Sequence, residues 1–128
     1  MERLWIYISG LYAIGLGIYH IMFWKIFKWK TDLQNIHFIN RGVMQIMNLC
    51  LIYVFMFIMG FITLFYSKEL KETSLGHAIL FTFAGFWFIR TIEQIIFFPR
   101  KYLKYLSSWI FIITFFVGGL INLLAVLI

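Results

Sequence analysis

Four long apolar runs set the pattern of the chain: Leu4–Trp24, about Val43–Tyr66, about Leu75–Phe98 and about Leu106–Ile128. A hydrocarbon core of about 30 Å takes roughly 20 residues at 1.5 Å each, so every run is long enough to span one as a helix. Only the third contains charges, Arg90 and Glu93. The first run is too long and uncharged for a signal peptide, and no small-x-small cleavage site follows it, so it reads as a retained helix. The second and third connections, about seven or eight residues each, force antiparallel neighbours. The expected fold is all-α: one domain over residues 1–128, built as a transmembrane four-helix up-down bundle.

The first connection is longer and has a pattern of its own. Ile26, Trp29, Leu33 and Ile36 recur at three-four spacing with Lys25, Lys28 and Asp32 off that stripe, which predicts a short interfacial amphipathic helix between spans one and two. Thr31 and Gln34 have the spacing of a capping box, so a helical turn is expected from Asp32, with Gly42 as a bend before the second span.

Composition sharpens this picture. Of 128 residues, 63% are hydrophobic and 12% charged, half the charge of an ordinary soluble domain at about 25%. That excludes a water-soluble domain and requires the lipid bilayer as a partner. Mean hydropathy is +0.93. One cysteine, Cys50, excludes an internal disulfide and any Cys-built metal centre. The +6 charge is distributed by connection. Lys25, Lys28, Lys30 and Arg41 against Asp32, and Arg100, Lys101 and Lys104, each give +3, whereas Arg3, Lys68 and Lys71 are balanced by Glu2, Glu69 and Glu72. The positive-inside rule then predicts a multi-pass protein of the cell inner (plasma) membrane, with connections one and three in the cytoplasm and both termini outside it. Trp24, Trp29, Tyr102, Tyr105 and Trp109 fall at the inner interface and Trp5, Tyr7 and Tyr66 at the outer, as aromatic belts do. The basic charge is a topology signal and nucleic acid is not an expected partner.

Small residues form stripes. Gly10, Ala13, Gly17 and His20 share one face of span one, Ser9 joins Ala13 and Gly17, Ala78, Thr82 and Gly85 share one of span three, and Thr114, Gly118 and Asn122 one of span four. Such faces let helices approach closely. They serve packing inside one bundle first, and leave a homodimer or a larger membrane-protein partner open.

The embedded polar residues gather toward the predicted cytoplasmic side. His20 lies about 6 Å from the end of span one, Arg41, Gln45 and Asn48 share one face of span two, Arg90, Glu93 and Gln94 end span three, and Ser107 and Ser108 open span four. Embedded charges face the bundle interior and find partners. Arg90 and Glu93 are placed to pair at i, i+3, and Glu93 is equally suited to Arg41. Two arginines against one glutamate leave a positive surplus, which suits an anionic small molecule or lipid head group. The candidate ligand-binding set is therefore His20, Arg41, Gln45, Asn48, Arg90, Glu93 and Gln94. His20 and His77 sit at opposite ends of their spans and cannot share a haem iron, and no cofactor or metal is expected. No nucleophile triad, carboxylate dyad or phosphate loop is present, so an enzyme is the less favoured class.

The segments Asn40-Arg41-x-x-Met44-Gln45-x-x-Asn48 and Phe86-Trp87-x-x-Arg90-x-x-Glu93-Gln94 give the chain its signature. In these the chain resembles a family of small, uncharacterised four-span bacterial integral membrane proteins. The resemblance covers nearly the whole chain and implies fold and location but no chemistry. Two functions fit the sequence: a module that binds or transports an anionic or amphiphilic small molecule, and a structural or assembly protein whose polar cluster only fixes helix packing. A lipid-modifying membrane enzyme using Glu93 or His20 is a third.

Overall fold

The computed structural model describes residues 2–128, and among these the chain is helical with no strand. In chain order the helices are α1 (Leu4–Ile21), α2 (Phe23–Ile26), α3 (Trp29–Asp32), α4 (Phe38–Tyr53), α5 (Ile62–Phe65), α6 (Ser67–Glu72), α7 (Ser74–Phe97) and α8 (Leu106–Leu127). A π-helical stretch, Val54–Phe61, joins α4 to α5, so Phe38–Phe65 is one continuous helical rod. Four helices are long and apolar enough to cross a membrane: Leu4–Ile21, Phe38–Phe65, Ser74–Phe97 and Leu106–Leu127. At most 39% of the most apolar stretch of any of them is buried within the protein, so most of their apolar surface is left for a surrounding apolar solvent.

The chain divides into two compact units, Gly10–Phe65 and a second made of Tyr66–Ile128 with the stretch that ends at Ser9. In the first, α1 packs antiparallel to the rod by alternating small and large residues. A Cβ on Gly10 would lie 2.8 Å from Leu64, one on Gly17 2.6 Å from the Met56 sulfur, and one on Gly60 2.6 Å from Ile14. Each glycine thus receives a bulky side chain from the other helix, the close approach that small residues allow. Gly60 has a second role, because a Cβ there would also come within 2.8 Å of the Phe55 carbonyl inside the π stretch. The purely apolar sequence VFMFIMGF gave no warning of this widened turn, since π and α segments of such composition look alike.

The connection between α1 and α4 departs from expectation. It is broken into single turns by Lys28, whose φ of 52° is left-handed. Trp29 and Leu33 are buried while Ile26 and Ile36 are exposed, so only half of the predicted stripe is used inside the protein. The capping box does not form: the Thr31 hydroxyl donates to the Lys28 carbonyl at 3.1 Å. The rod is capped instead by His37, whose Nδ1 accepts from the Ile39 amide at 3.3 Å. It therefore starts at Phe38, ahead of the expected Val43, and Gly42 lies within unbroken helix rather than at a bend.

In the second unit α7 and α8 form an antiparallel hairpin closed by a 3-10 turn at Arg100–Lys104. Trp87 and Phe115 stack at 6.1 Å with planes 10° apart, and both are buried. Thr73 caps α7 by accepting from the Gly76 amide at 2.9 Å. Gly76 itself admits α6, since a Cβ there would collide with the Leu70 backbone.

Candidate functional site

The polar residues of the first unit meet where α1 ends. His20, in its last turn, donates from Nδ1 to the Leu16 carbonyl at 2.8 Å. Its ring stacks on Phe23 at 4.2 Å and meets Phe55 edge-on at 4.9 Å. Asn48 donates from Nδ2 to the His20 carbonyl at 3.0 Å, which ties the rod to one of the carbonyls that the end of α1 leaves open. The Asn48 Oδ1 is buried and has no partner. Arg41 and Gln45 are half-buried on the same face as Asn48, at i−7 and i−3. Hydrogen bonding brings together His20 and Asn48 from the predicted set, with Arg41 and Gln45 continuing their face. Exposed His37 is occupied with the cap of α4 and stacks on Phe38 at 4.7 Å.

The second unit holds Arg90, Glu93 and Gln94 on α7. Arg90 is half-buried, and its guanidinium lies 4.3 Å from the centre of the Phe115 ring, an attraction that keeps the charge while relieving part of its desolvation. Glu93 is exposed, one helical step of 100° round from Gln94. Gln94 shares the Arg90 face at i+4 and is 2% exposed, yet its Nε2 has no hydrogen-bond partner. Ser108, in the first turn of α8, is 1% exposed, and its Oγ also lacks one.

Helix register relates these two groups. Gln94 lies seven residues beyond Trp87 and Ser108 seven residues before Phe115. Because seven residues are close to two full turns, the stacked Trp87–Phe115 pair brings Gln94 and Ser108 to facing positions further along the same seam of the antiparallel hairpin. A buried amide or hydroxyl left unbonded costs about 1–3 kcal/mol. Two such groups therefore lie at one end of the same seam with hydrogen-bonding capacity unused.

The surroundings of this seam are electropositive. The connection carries Arg100, Lys101 and Lys104, all exposed. It is tied to α8 by a hydrogen bond between Tyr102 and Ser107 at 3.0 Å and by the Trp109 indole donating to the Leu103 carbonyl at 2.8 Å. No side chain caps α8 at Tyr105. The first amides of a long helix, its positive dipole end, a hydroxyl and a carboxamide NH2 thus collect at one end of the hairpin. All of them can donate, the hydroxyl being able to accept as well, so an acceptor or an anion suits the whole group. Among the described residues no group of three His, Cys, Asp or Glu side chains is gathered to hold a metal ion.

Two features of this arrangement escape inspection of the sequence. Ser108 stands there among the polar residues of the cytoplasmic side without being assigned to the site, and nothing marks Phe115. The usable signal is the matched seven-residue spacing Trp87–Gln94 and Ser108–Phe115, which acquires meaning once the two aromatic rings are known to stack. In comparison with known proteins, the chain matches no family model, no curated protein and no solved structure.

Proposed function

We propose that the protein is a small multi-pass protein of the cell inner membrane that binds or transports an anionic or amphiphilic small molecule at a polar layer near the cytoplasmic side. In this reading the four apolar helices cross as an up-down bundle with both termini outside, and the Trp29–Asn35 turns lie along the inner interface. The observation that carries it is the buried, unpartnered pair Gln94 Nε2 and Ser108 Oγ beside the Arg90 charge. In the other unit His20, Arg41, Gln45 and Asn48 form a polar group of their own, in which Asn48 Oδ1 is a buried acceptor without a partner. A transported ligand would exchange with the cytoplasmic leaflet past Glu93.

The alternative is a structural or assembly protein in which the polar groups only fix helix packing. The Ser9 hydroxyl, which donates to Asn122 Oδ1 at 2.7 Å, is an observation in its favour, because that buried pair satisfies itself. Native mass spectrometry of protein released gently from membranes separates the two. A retained anionic molecule that is lost from a folded Gln94→Leu/Ser108→Ala variant is the outcome expected for a binding protein. Wild type and variant that both fly without a small molecule would leave the structural reading.

A further inference from the structure

The donor set at the closed end of the α7–α8 hairpin specifies more than an anion. Resting on the binding role above, we propose that the ligand is anchored through a phosphate group at the start of α8, held by the first amides of that helix, Ser108 Oγ and Gln94 Nε2.

Three arguments lead there. First, α8 runs for 22 residues with no side-chain cap at its start; the Ser108 amide is turned to the Tyr105 carbonyl at 3.2 Å, which leaves the Leu106 and Ser107 amides to present the positive end of a full helix dipole. A helix start alone selects nothing, but here Ser108 Oγ in its first turn and Nε2 of Gln94, the residue that the Trp87–Phe115 register sets opposite Ser108, are both buried without a partner. Second, every member of this set can donate: the Leu106 and Ser107 amides, two N–H from the carboxamide and the O–H of Ser108, which can also accept. A carboxylate has two oxygens to offer such a set, whereas a phosphate has three or four set tetrahedrally and accepts from more than one direction. The charge is supplied by Arg100 and Lys101 in the adjoining connection, with Arg90 held further along the seam over the Phe115 ring and Glu93 opposing from an exposed position. Third, the residues flanking the site are apolar and outward: Phe97 is 79% exposed and Leu106 76%. These are surfaces for acyl chains, so a phosphate-bearing lipid satisfies both the donors and their surroundings. A soluble phosphate satisfies the donors alone.

The test uses the full chain in a maltoside detergent, which contains no phosphorus. Phosphatidylglycerol, a fatty acid of equal chain length and inorganic phosphate are titrated separately, with binding read by native mass spectrometry and thermal shift. Phosphatidylglycerol is expected to bind wild type at least tenfold more tightly than it binds Gln94→Leu/Ser108→Ala, the loss from one charge-assisted hydrogen bond being of that order. The variant removes buried polar atoms that lack partners, so it is expected to fold at least as stably as wild type. A second variant, Arg100→Gln/Lys101→Gln, should weaken binding and flatten its salt dependence.

Phosphatidylglycerol binding that inorganic phosphate does not displace assigns the site to a lipid. Displacement by millimolar phosphate, with the same loss in the variant, assigns it to the free ion. If the fatty acid binds as tightly as the phospholipid and suffers the same loss, the phosphate assignment is overturned while the binding role stands. If no ligand distinguishes wild type from Gln94→Leu/Ser108→Ala, both the phosphate assignment and the binding role fail.

Discussion

The α7–α8 hairpin has two ends made from similar polar residues, and they are finished differently. At the open end, where α7 begins and α8 stops, the side chains are used. Ser9 donates to Asn122, Asn122 donates on to the Gly118 carbonyl at 2.9 Å, and Ser67 donates to the Tyr7 hydroxyl at 3.1 Å while accepting from Arg3 at 3.3 Å. Lys71 reaches the Ala125 carbonyl at 3.2 Å, and His77 donates from Nε2 to the Lys71 carbonyl at 2.7 Å. At the closed end, Gln94 and Ser108 are as deeply buried as Asn122, yet each has an atom without a partner. Both such side chains of this unit, among the described residues, lie at that end. Burial of a polar residue is therefore not evidence of one role. Its remaining hydrogen-bonding capacity separates a structural group from one available to a ligand.

The comparison predicts opposite outcomes for equivalent substitutions, beginning with the largest. Gly76→Ala drives a methyl into the Leu70 backbone, which has no flexible end to move aside. It should cost about 3 kcal/mol, at the upper end of overpacking effects, seen as a lowered unfolding midpoint in mixed micelles. Asn122→Leu deprives Ser9 Oγ of its acceptor and should cost about 1–2 kcal/mol. Gln94→Leu, chemically the same exchange, should leave the ligand-free protein as stable as before or more so. Equal losses for Asn122→Leu and Gln94→Leu would erase the distinction between the two ends.

The sequence carries the large features of this fold because they rest on composition. Four apolar runs become four membrane-length helices, and the Gly10 and Gly17 stripe is buried as its spacing requires. Local signals failed where two physical options share one pattern. Thr31 and Gln34 have capping-box spacing, but the left-handed Lys28 starts a turn earlier and takes the Thr31 hydroxyl for its own carbonyl. The second apolar run begins at about Val43, yet α4 begins at Phe38, where His37 caps it with an imidazole in place of a common capping side chain. At the candidate site, Gln94 is visible in the sequence as a polar residue within an apolar run. Its relation to Ser108 is not, since periodicity places a residue on a face but does not set the register between helices. That register comes from long-range packing of Trp87 on Phe115.

The smallest expected effect tests whether the open end is held by charge as well as by hydrogen bonds. Lys71 sits in α6, and its ammonium meets the Ala125 carbonyl in the last turn of α8. The last four carbonyls of a helix lack amide partners and form its negative end, so a cation there stabilises it by both routes. Lys71→Met keeps the length and apolar stem of the side chain and removes only the charged donor, so packing against α8 is preserved. The loss should be about 0.3–1 kcal/mol, measured by unfolding in micelles at low and high salt. Because the half-buried Lys71 is reached by solvent ions, the difference between wild type and variant should shrink as salt rises. A difference that does not change with salt would assign the contact to the hydrogen bond alone. Lys71→Gln, which can still donate but carries no charge, would then behave as wild type, and the open end would owe its stability to geometry rather than to electrostatics.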